Sequence, residues 1–429
     1  MNQAPVIKKS YIVILVLFAL GIGGLLFFLN RPAKLQITAP DNADIFVARS
    51  QLEDLTKIGS GSVTYSTRDT KSPVYVEVSK NGQKTISGTS LEKGKTTELN
   101  LSFTGLVSAS TVTEGAVSNA LLSGTLVQGI VPDEFAMTSF RTDRFETTRS
   151  ALSQLPYMDK VIWYDINNFV YRSLREGVGQ FLNGRDIGSE GAFASSLSGI
   201  KLPSTNQPAG STRPLVDITD IAKVSGKPLV LTSKENLFLS DDFGNSLQSI
   251  VGYDDKDSAV NRVYASPGYV FRLSGQLPSG YADETGKKDR SSTPQTGTLT
   301  QYTYDGNKVR DIPVYSETTK NVVEANDVVY ILNNDELVTS RGETLTSIPL
   351  YSKYVADITS YNNRVVALIG NGLWKMSEDG KSLQLLFDFT DNGVGLSNSF
   401  LQDGGKLVFG TASSPEQKTA QSKMFSVSF

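Results

Sequence analysis

Neither histidine nor cysteine occurs anywhere in the 429 residues, so any chemistry must come from carboxylates, arginines, lysines, tyrosines and hydroxyls. That excludes a Ser-His-Asp triad, thiol nucleophiles, disulfides, a histidine pH switch and a zinc centre of the usual Cys/His kind. What remains is chiefly carboxylate chemistry, in which two acids facing each other across a cleft hydrolyse a glycosidic bond. The 44 Asp and Glu permit many such pairs, and no spacing selects one. Asp254-Asp255-Lys256-Asp257 offers hard oxygens for calcium. It lacks the D-x-[DN]-x-[DN]-G spacing and a later bidentate Glu, so a solvated loop is the simpler account. No catalytic, cofactor-binding or metal-ligating residue is therefore expected, and the chain is expected not to be an enzyme. The 41 Lys and Arg nearly cancel the acids, leaving a formal charge of −3. Nucleic acid, which needs a concentrated basic surface, is not an expected partner.

The elements that would position such groups are strands. Only 20% of residues are charged, while 37 Gly and 16 Pro punctuate short β-branched and aromatic runs. This is the pattern of an all-β protein with many tight turns. The exception is Tyr11 to Leu29, YIVILVLFALGIGGLLFFL, which carries no charge. As a helix it would span roughly 28 Å at about 1.5 Å per residue, close to the thickness of a bilayer's hydrocarbon. The run is longer than a cleavable signal's apolar core, and no small-residue cleavage site follows it. It reads as a transmembrane signal anchor over residues 11–29, so the membrane is an expected partner. Lys8 and Lys9 favour a cytoplasmic tail of residues 1–10. The expectation is a single-pass plasma-membrane protein with the bulk of the chain extracytoplasmic.

Residues 34–103 hold five strand candidates: LQIT (35–38), DIFVA (44–48), VTYST (63–67), PVYVEVSK (73–80) and TTELNLSF (96–103). Val74, Val76 and Val78 alternate with Tyr75, Glu77 and Ser79, as a half-buried strand requires. Lys80-Asn81-Gly82 is a type I′ turn signal. Pro40-Asp41-Asn42-Ala43 ahead of Asp44-Ile45-Phe46-Val47, with the later YVEVSKNG, resembles the PEGA domain of bacterial envelope proteins. The resemblance implies a small β-sandwich acting as a spacer or adhesion module. Asn42 stands where the family has Gly, but Asn tolerates positive φ. The family's G-x-T-P turn is missing between Arg49 and Ser62. Residues 104–149, rich in Ser, Thr, Gly and Ala, read as a connector that could also supply a closing strand.

From residue 150 onward the chain repeats. Asn236-LFLSDDFGNSLQSI-250 aligns with Gly372-LWKMSEDGKSLQLL-386: an aromatic-bearing strand, an acidic-Gly turn, then Ser-Leu-Gln and a second strand. The same order recurs at 263–315 and 328–351, and partial copies lie at 161–174 and 407–429. Turn glycines at 306, 342 and 380 lie 36 and 38 residues apart, enough for a four-stranded sheet. Such sheets bury both faces by radial stacking, so residues 150–429 are expected to form a six- to seven-bladed β-propeller. The final copy stops after its third strand, and the missing fourth must come from the region around 104–150.

Ser240, Asp242, Gly244 and Ser246 resemble the Asp-box, S-x-D-x-G-x-T-W, of BNR-type propellers; Ser377, Asp379, Gly380 and Ser382 form a copy one residue shorter. The resemblance implies structural turns at the outer edge of blades, not an active site. Phe140-Arg141 and Phe271-Arg272 lack the Ile-Pro that completes the sialidase F/Y-R-I-P motif. The insert 276–296 is polar apart from Leu277 and Tyr281 and should project as a loop. Trp163 and Trp374 fall on strands and read as core. The function expected is non-enzymatic: a membrane-anchored binding or scaffolding protein of the bacterial cell envelope whose propeller contacts a protein or a glycan. The alternatives are a propeller hydrolase of cell-surface glycans and an assembly factor for a membrane protein complex.

Overall fold

The computed structural model describes Phe18 and most residues from 31 to 427; the longer stretches outside the described residues are 194–217, 253–259, 276–295, 389–396 and 412–422. Residues 11–29 also lie outside them, apart from Phe18. Among the described residues no helix is long and apolar enough to cross a membrane. The chain divides into two compact units, residues 1–105 with 381–384, and residues 106–380 with 385–429.

The first unit is a two-layer β structure. Its three-stranded sheet has Ala33–Thr38 in the centre, antiparallel to Ser62–Thr67 and parallel to Thr96–Asn100. Its second sheet runs Thr56–Ser60, Asp44–Ala48, Val74–Lys80 and Gln83–Thr89. Strict alternation in AKLQIT, buried at every second residue, turns Ala33, Leu35 and Ile37 inward. They meet Ile45, Val47, Val74, Val76 and Val78 of the other sheet in one core. Asn81 and Gly82, at φ of 52° and 79°, make the hairpin turn after Lys80. The strand Thr56–Ser60 was not among the five strand candidates; TKIGS has no apolar alternation, and its residues stay exposed or half-buried.

The second unit contains seven sets of four antiparallel strands among the described residues, six of them separate four-stranded sheets and the one at 355–388 part of a longer sheet. In chain order they occupy residues 118–151, 158–187, 220–252, 260–315, 321–348, 355–388 and 397–427. The seventh has three strands of its own, and its fourth is Ser110–Glu114, antiparallel to Lys423–Val427. First strands of successive sheets pack on one another: Asp220–Ala222 on Val260–Ala265, then Asn321–Ala325, Val355–Tyr361, Ser397–Asp403, Ser118–Ser123 and Met158–Asp165. The circle closes where Asn168–Ser173 and Gly177–Leu182 of the second sheet meet Asp220–Ala222. This connectivity is a closed β-propeller of seven blades.

Two expectations are corrected here. Residues 118–151 form a whole sheet where a connector was expected, and the unit begins at residue 106, not 150. The reason is compositional. Strands such as AMTSFR and ETTRSA carry few β-branched aliphatics, so their strand signal is weak; the ladder supplies what propensity lacks.

Burial on both faces explains the continuous apolar runs. LVLT (229–232) and VVYIL (328–332) are buried at every position. Leu229 and Leu231 share a core with Val170 and Val178 of the preceding sheet, while Val230 shares one with Val263 and Val270 of the next. Each such side chain contributes roughly 1.5–3 kcal/mol on leaving water. A sheet in this position therefore cannot alternate apolar with polar residues along its second strand.

Candidate functional site

Polar groups on the first strands form a belt inside the ring. Lys160, Asp220, Arg262, Asn321 and Asp357 each precede a Val or Ile near the start of a first strand. Asp220 is fully buried. Its Oδ1 accepts from Lys160 Nζ at 3.0 Å, from Arg172 at 2.8 Å and from the Ile221 N–H at 2.8 Å. Its Oδ2 accepts from the Val263 N–H of the next sheet at 2.9 Å. Burial pushes the Asp220 carboxyl up, but Lys160, Arg172 and the Val263 N–H outweigh it and hold the group below the usual carboxylate range.

The same arrangement recurs along the ring. Lys160 Nζ also donates to the Ile221 carbonyl at 2.7 Å. Asn321 Nδ2 donates to Asp357 Oδ1 at 2.7 Å and to the Ile358 carbonyl at 2.9 Å, again one sheet onward. Arg262 and the Tyr264 hydroxyl both donate to the Thr319 carbonyl, at 3.0 and 3.1 Å. Tyr264 is buried beneath them, and its phenol is pushed up to about 12 chiefly by that burial. Chemically these groups join sheet to sheet. Position before a Val or Ile in KVI, DIA, RVY, NVV and DIT is the signal that aligning first strands would have exposed.

The turn residues singled out in the sequence are separate from this belt. In the shorter Asp-box-like copy, Ser377 Oγ donates to Asp379 Oδ1 at 2.6 Å, and the Gly380 N–H donates to the Ser377 carbonyl at 2.9 Å. Gly380 takes φ of 70°, and a Cβ there would lie 3.3 Å from the Tyr330 hydroxyl of the preceding sheet. Ser382 is buried at the start of Ser382–Asp388. Of the longer copy, Ser240 is buried at the end of Asn236–Ser240 and Ser246 is exposed, while Asp242 and Gly244 lie outside the described residues. In the first unit Pro40, Asp41, Asn42 and Ala43 make a tight turn: the Ala43 N–H donates to the Pro40 carbonyl at 3.0 Å, and Asn42 has φ of 59°. Lys80 Nζ donates to the Asp41 carbonyl at 2.6 Å.

Phe271 and Arg272 are both buried, Arg272 donating to Asn261 Oδ1 at 2.6 Å. Trp374 is buried with its Nε1 donating to the Ile369 carbonyl at 3.3 Å. The Asp254–Asp257 run, the insert 276–295 and the Trp163 side chain lie outside the described residues. Among the described residues no group of three or more acids converges in a way that could hold a metal ion.

A second feature lies on the outer strands of the fourth and fifth sheets. An open cleft of about 180 Å³ is lined by Pro313, Tyr315, Ile331, Val338, Leu345 and Glu336, among others. On the same outer strand, Arg310 donates to Gln301 Oε1 at 2.9 Å within its own sheet and to the Gly342 carbonyl at 2.8 Å in the next.

No protein-family model matches the chain, and no curated protein sequence is similar to it. Solved structures are. YCF48 bound to a D1 peptide superposes with a TM-score of 0.42 at 10% identity, covering 76% of this chain and 98% of that one. The extracellular domain of BT3049 from B. thetaiotaomicron gives a TM-score of 0.42 at 12% identity, over 90% of this chain and 50% of that one. Virginiamycin B lyase from Staphylococcus aureus gives 0.40 at 9% identity, over 74% and 99%.

Proposed function

We propose that this chain is a non-enzymatic binding or scaffolding protein of the bacterial cell envelope, tethered by residues 11–29 with its bulk extracytoplasmic. Its propeller contacts a protein or a glycan. The first unit, PEGA-like in its Pro40–Ala43 turn and paired sheets, serves as the spacer, and the Asp-box-like turns shape the blade edges. What supports the reading is the use made of the inner polar groups. Asp220, Asn321 and Asp357 are engaged in bonds from sheet to sheet. Such bonds stiffen a ring and leave its turns and outer strands as the variable surface, which is where a rigid scaffold carries recognition.

The test is photo-crosslinking in intact cells, followed by detergent solubilisation and mass spectrometry of the neighbours. Reproducible crosslinks from the propeller to one envelope component are expected, together with cleavage of residues 35–429 by protease added outside the plasma membrane. Protection of that span from external protease would sink the location. Release of reducing sugar from envelope glycan by the purified chain would replace binding with hydrolysis.

A further inference from the structure

The cleft between the fourth and fifth sheets has the build of a recognition groove. Seven large apolar side chains are exposed among the described residues; three of them, Val309, Tyr315 and Leu345, lie on the outer strands of these two adjacent sheets. Scattered apolar side chains on a surface need no explanation, but clustered ones do. Tyr315 and Leu345 remain 47% and 44% exposed as the walls, while Ile331 and Val314 beneath them are buried. The width is set in advance, because Arg310 ties Lys308–Tyr315 to the turn at Gly342. A preformed apolar cleft with few polar groups is the usual form of a binding site.

The one charged group in the lining is Glu336, half-buried, on the segment entering Leu337–Arg341. No ion pair or side-chain hydrogen bond engages its carboxylate among the described residues. Pro313 sits in the edge strand and offers no N–H, so a partner strand cannot pair continuously along it. Recognition therefore falls on side chains. We infer that this groove docks an extended segment of a partner protein that places an aromatic or aliphatic side chain between Tyr315 and Leu345 and a Lys or Arg against Glu336. In an extended segment, alternate residues share a face, so an apolar-x-basic triplet presents both groups together. This deepens the binding function proposed above and rests on it for its setting.

The test is titration of the full chain in detergent micelles with three capped peptides: acetyl-Gly-Phe-Gly-Arg-amide, the same peptide with Glu for Arg, and the same with Ser for Phe. The Phe/Arg peptide is expected to bind at least fivefold more tightly than either control. Glu336→Gln should reduce the preference for Arg over Glu to less than twofold, and Leu345→Ser should weaken the Phe/Arg peptide at least fivefold. Both sites lie at the surface, so an unchanged Tm confirms folding. Equal binding of the three peptides, or a preference that survives Glu336→Gln, would overturn the assignment. So would self-association of the chain that Leu345→Ser abolishes, because the groove would then belong to a second copy. Peptide failure alongside crosslinks elsewhere on the propeller removes the groove and leaves the binding function standing. Peptide success without any envelope crosslink does the reverse.

Discussion

Asp220 shows how one buried charge is kept in a β-rich interior. It receives two cations and two backbone N–H groups, so its desolvation is offset by donors on four strands. Removing the acid strands Lys160 and Arg172, and Asp220→Ala is expected to cost about 3–5 kcal/mol in urea unfolding. The carboxyl is held below its ordinary value, so its contribution is complete above the unfolded value of 3.8 and is lost as pH falls through the folded one. Acid unfolding of the second unit should therefore move to higher pH when Lys160 is replaced by Met, which a pH titration of near-ultraviolet circular dichroism reads.

Glu77 is the opposite case. It is buried on Val74–Lys80, its Oε2 has no hydrogen-bond partner among the described residues, and burial raises its carboxyl despite Lys84 nearby. Its contribution is complete below the unfolded value of 4.5 and falls away as pH rises through the folded one. Glu77→Gln should leave stability unchanged at pH 4 and raise it at pH 8, measured as Tm of the first unit. Glycine substitutions divide as sharply. Gly306 and Gly342 both have positive φ, but a Cβ at 306 would sit 2.4 Å from the Ile250 carbonyl while one at 342 meets nothing. Gly342→Ala should cost about 1–2 kcal/mol for the left-handed backbone alone. Gly306→Ala should cost more, because the previous sheet's main chain must also move.

At the level of elements, Ser110–Glu114 is the strand on which the ring depends. It pairs with Lys423–Val427 across a sequence gap that spans the whole unit. Excising residues 110–114 should leave the seventh sheet three-stranded and raise amide exchange at Met424 to Ser426. Phe425, buried against Phe387 and Leu407, then loses its cover as well. Strands with β-branched runs, such as VVYIL and VYVEVSK, could be placed from their residues, because burial on one or both faces imposes a pattern. The Asn81-Gly82 hairpin was equally legible, since its turn chemistry is local. The sheet at 118–151 was not, because polar strands such as ETTRSA are held by neighbours that only the closed ring provides. The polar belt was hidden for a related reason: Lys160 and Asp220, or Asn321 and Asp357, are tens of residues apart, and nothing local marks one as the other's partner.

Over the whole molecule, the bonds between first strands make each sheet's stability depend on its neighbours. A ring has no free end from which to fray, so opening one seam should loosen the others. Asp220→Ala is expected to accelerate amide exchange not only at Val263 but also in Asn321–Ala325 and Val355–Tyr361, the first strands of the fifth and sixth sheets. Acceleration confined to the second, third and fourth sheets would show instead that the seams open independently.

The pairing of Ser110–Glu114 with Lys423–Val427 also imposes an order on biosynthesis. One half of the clasp leaves the ribosome early, and its complement emerges about 300 residues later. At about 5–20 residues per second that is a wait of roughly 15 seconds to a minute. Throughout it, the nascent chain carries an unmatched strand whose partner does not yet exist, so a chaperone or a neighbouring surface must occupy that edge if premature association is to be avoided.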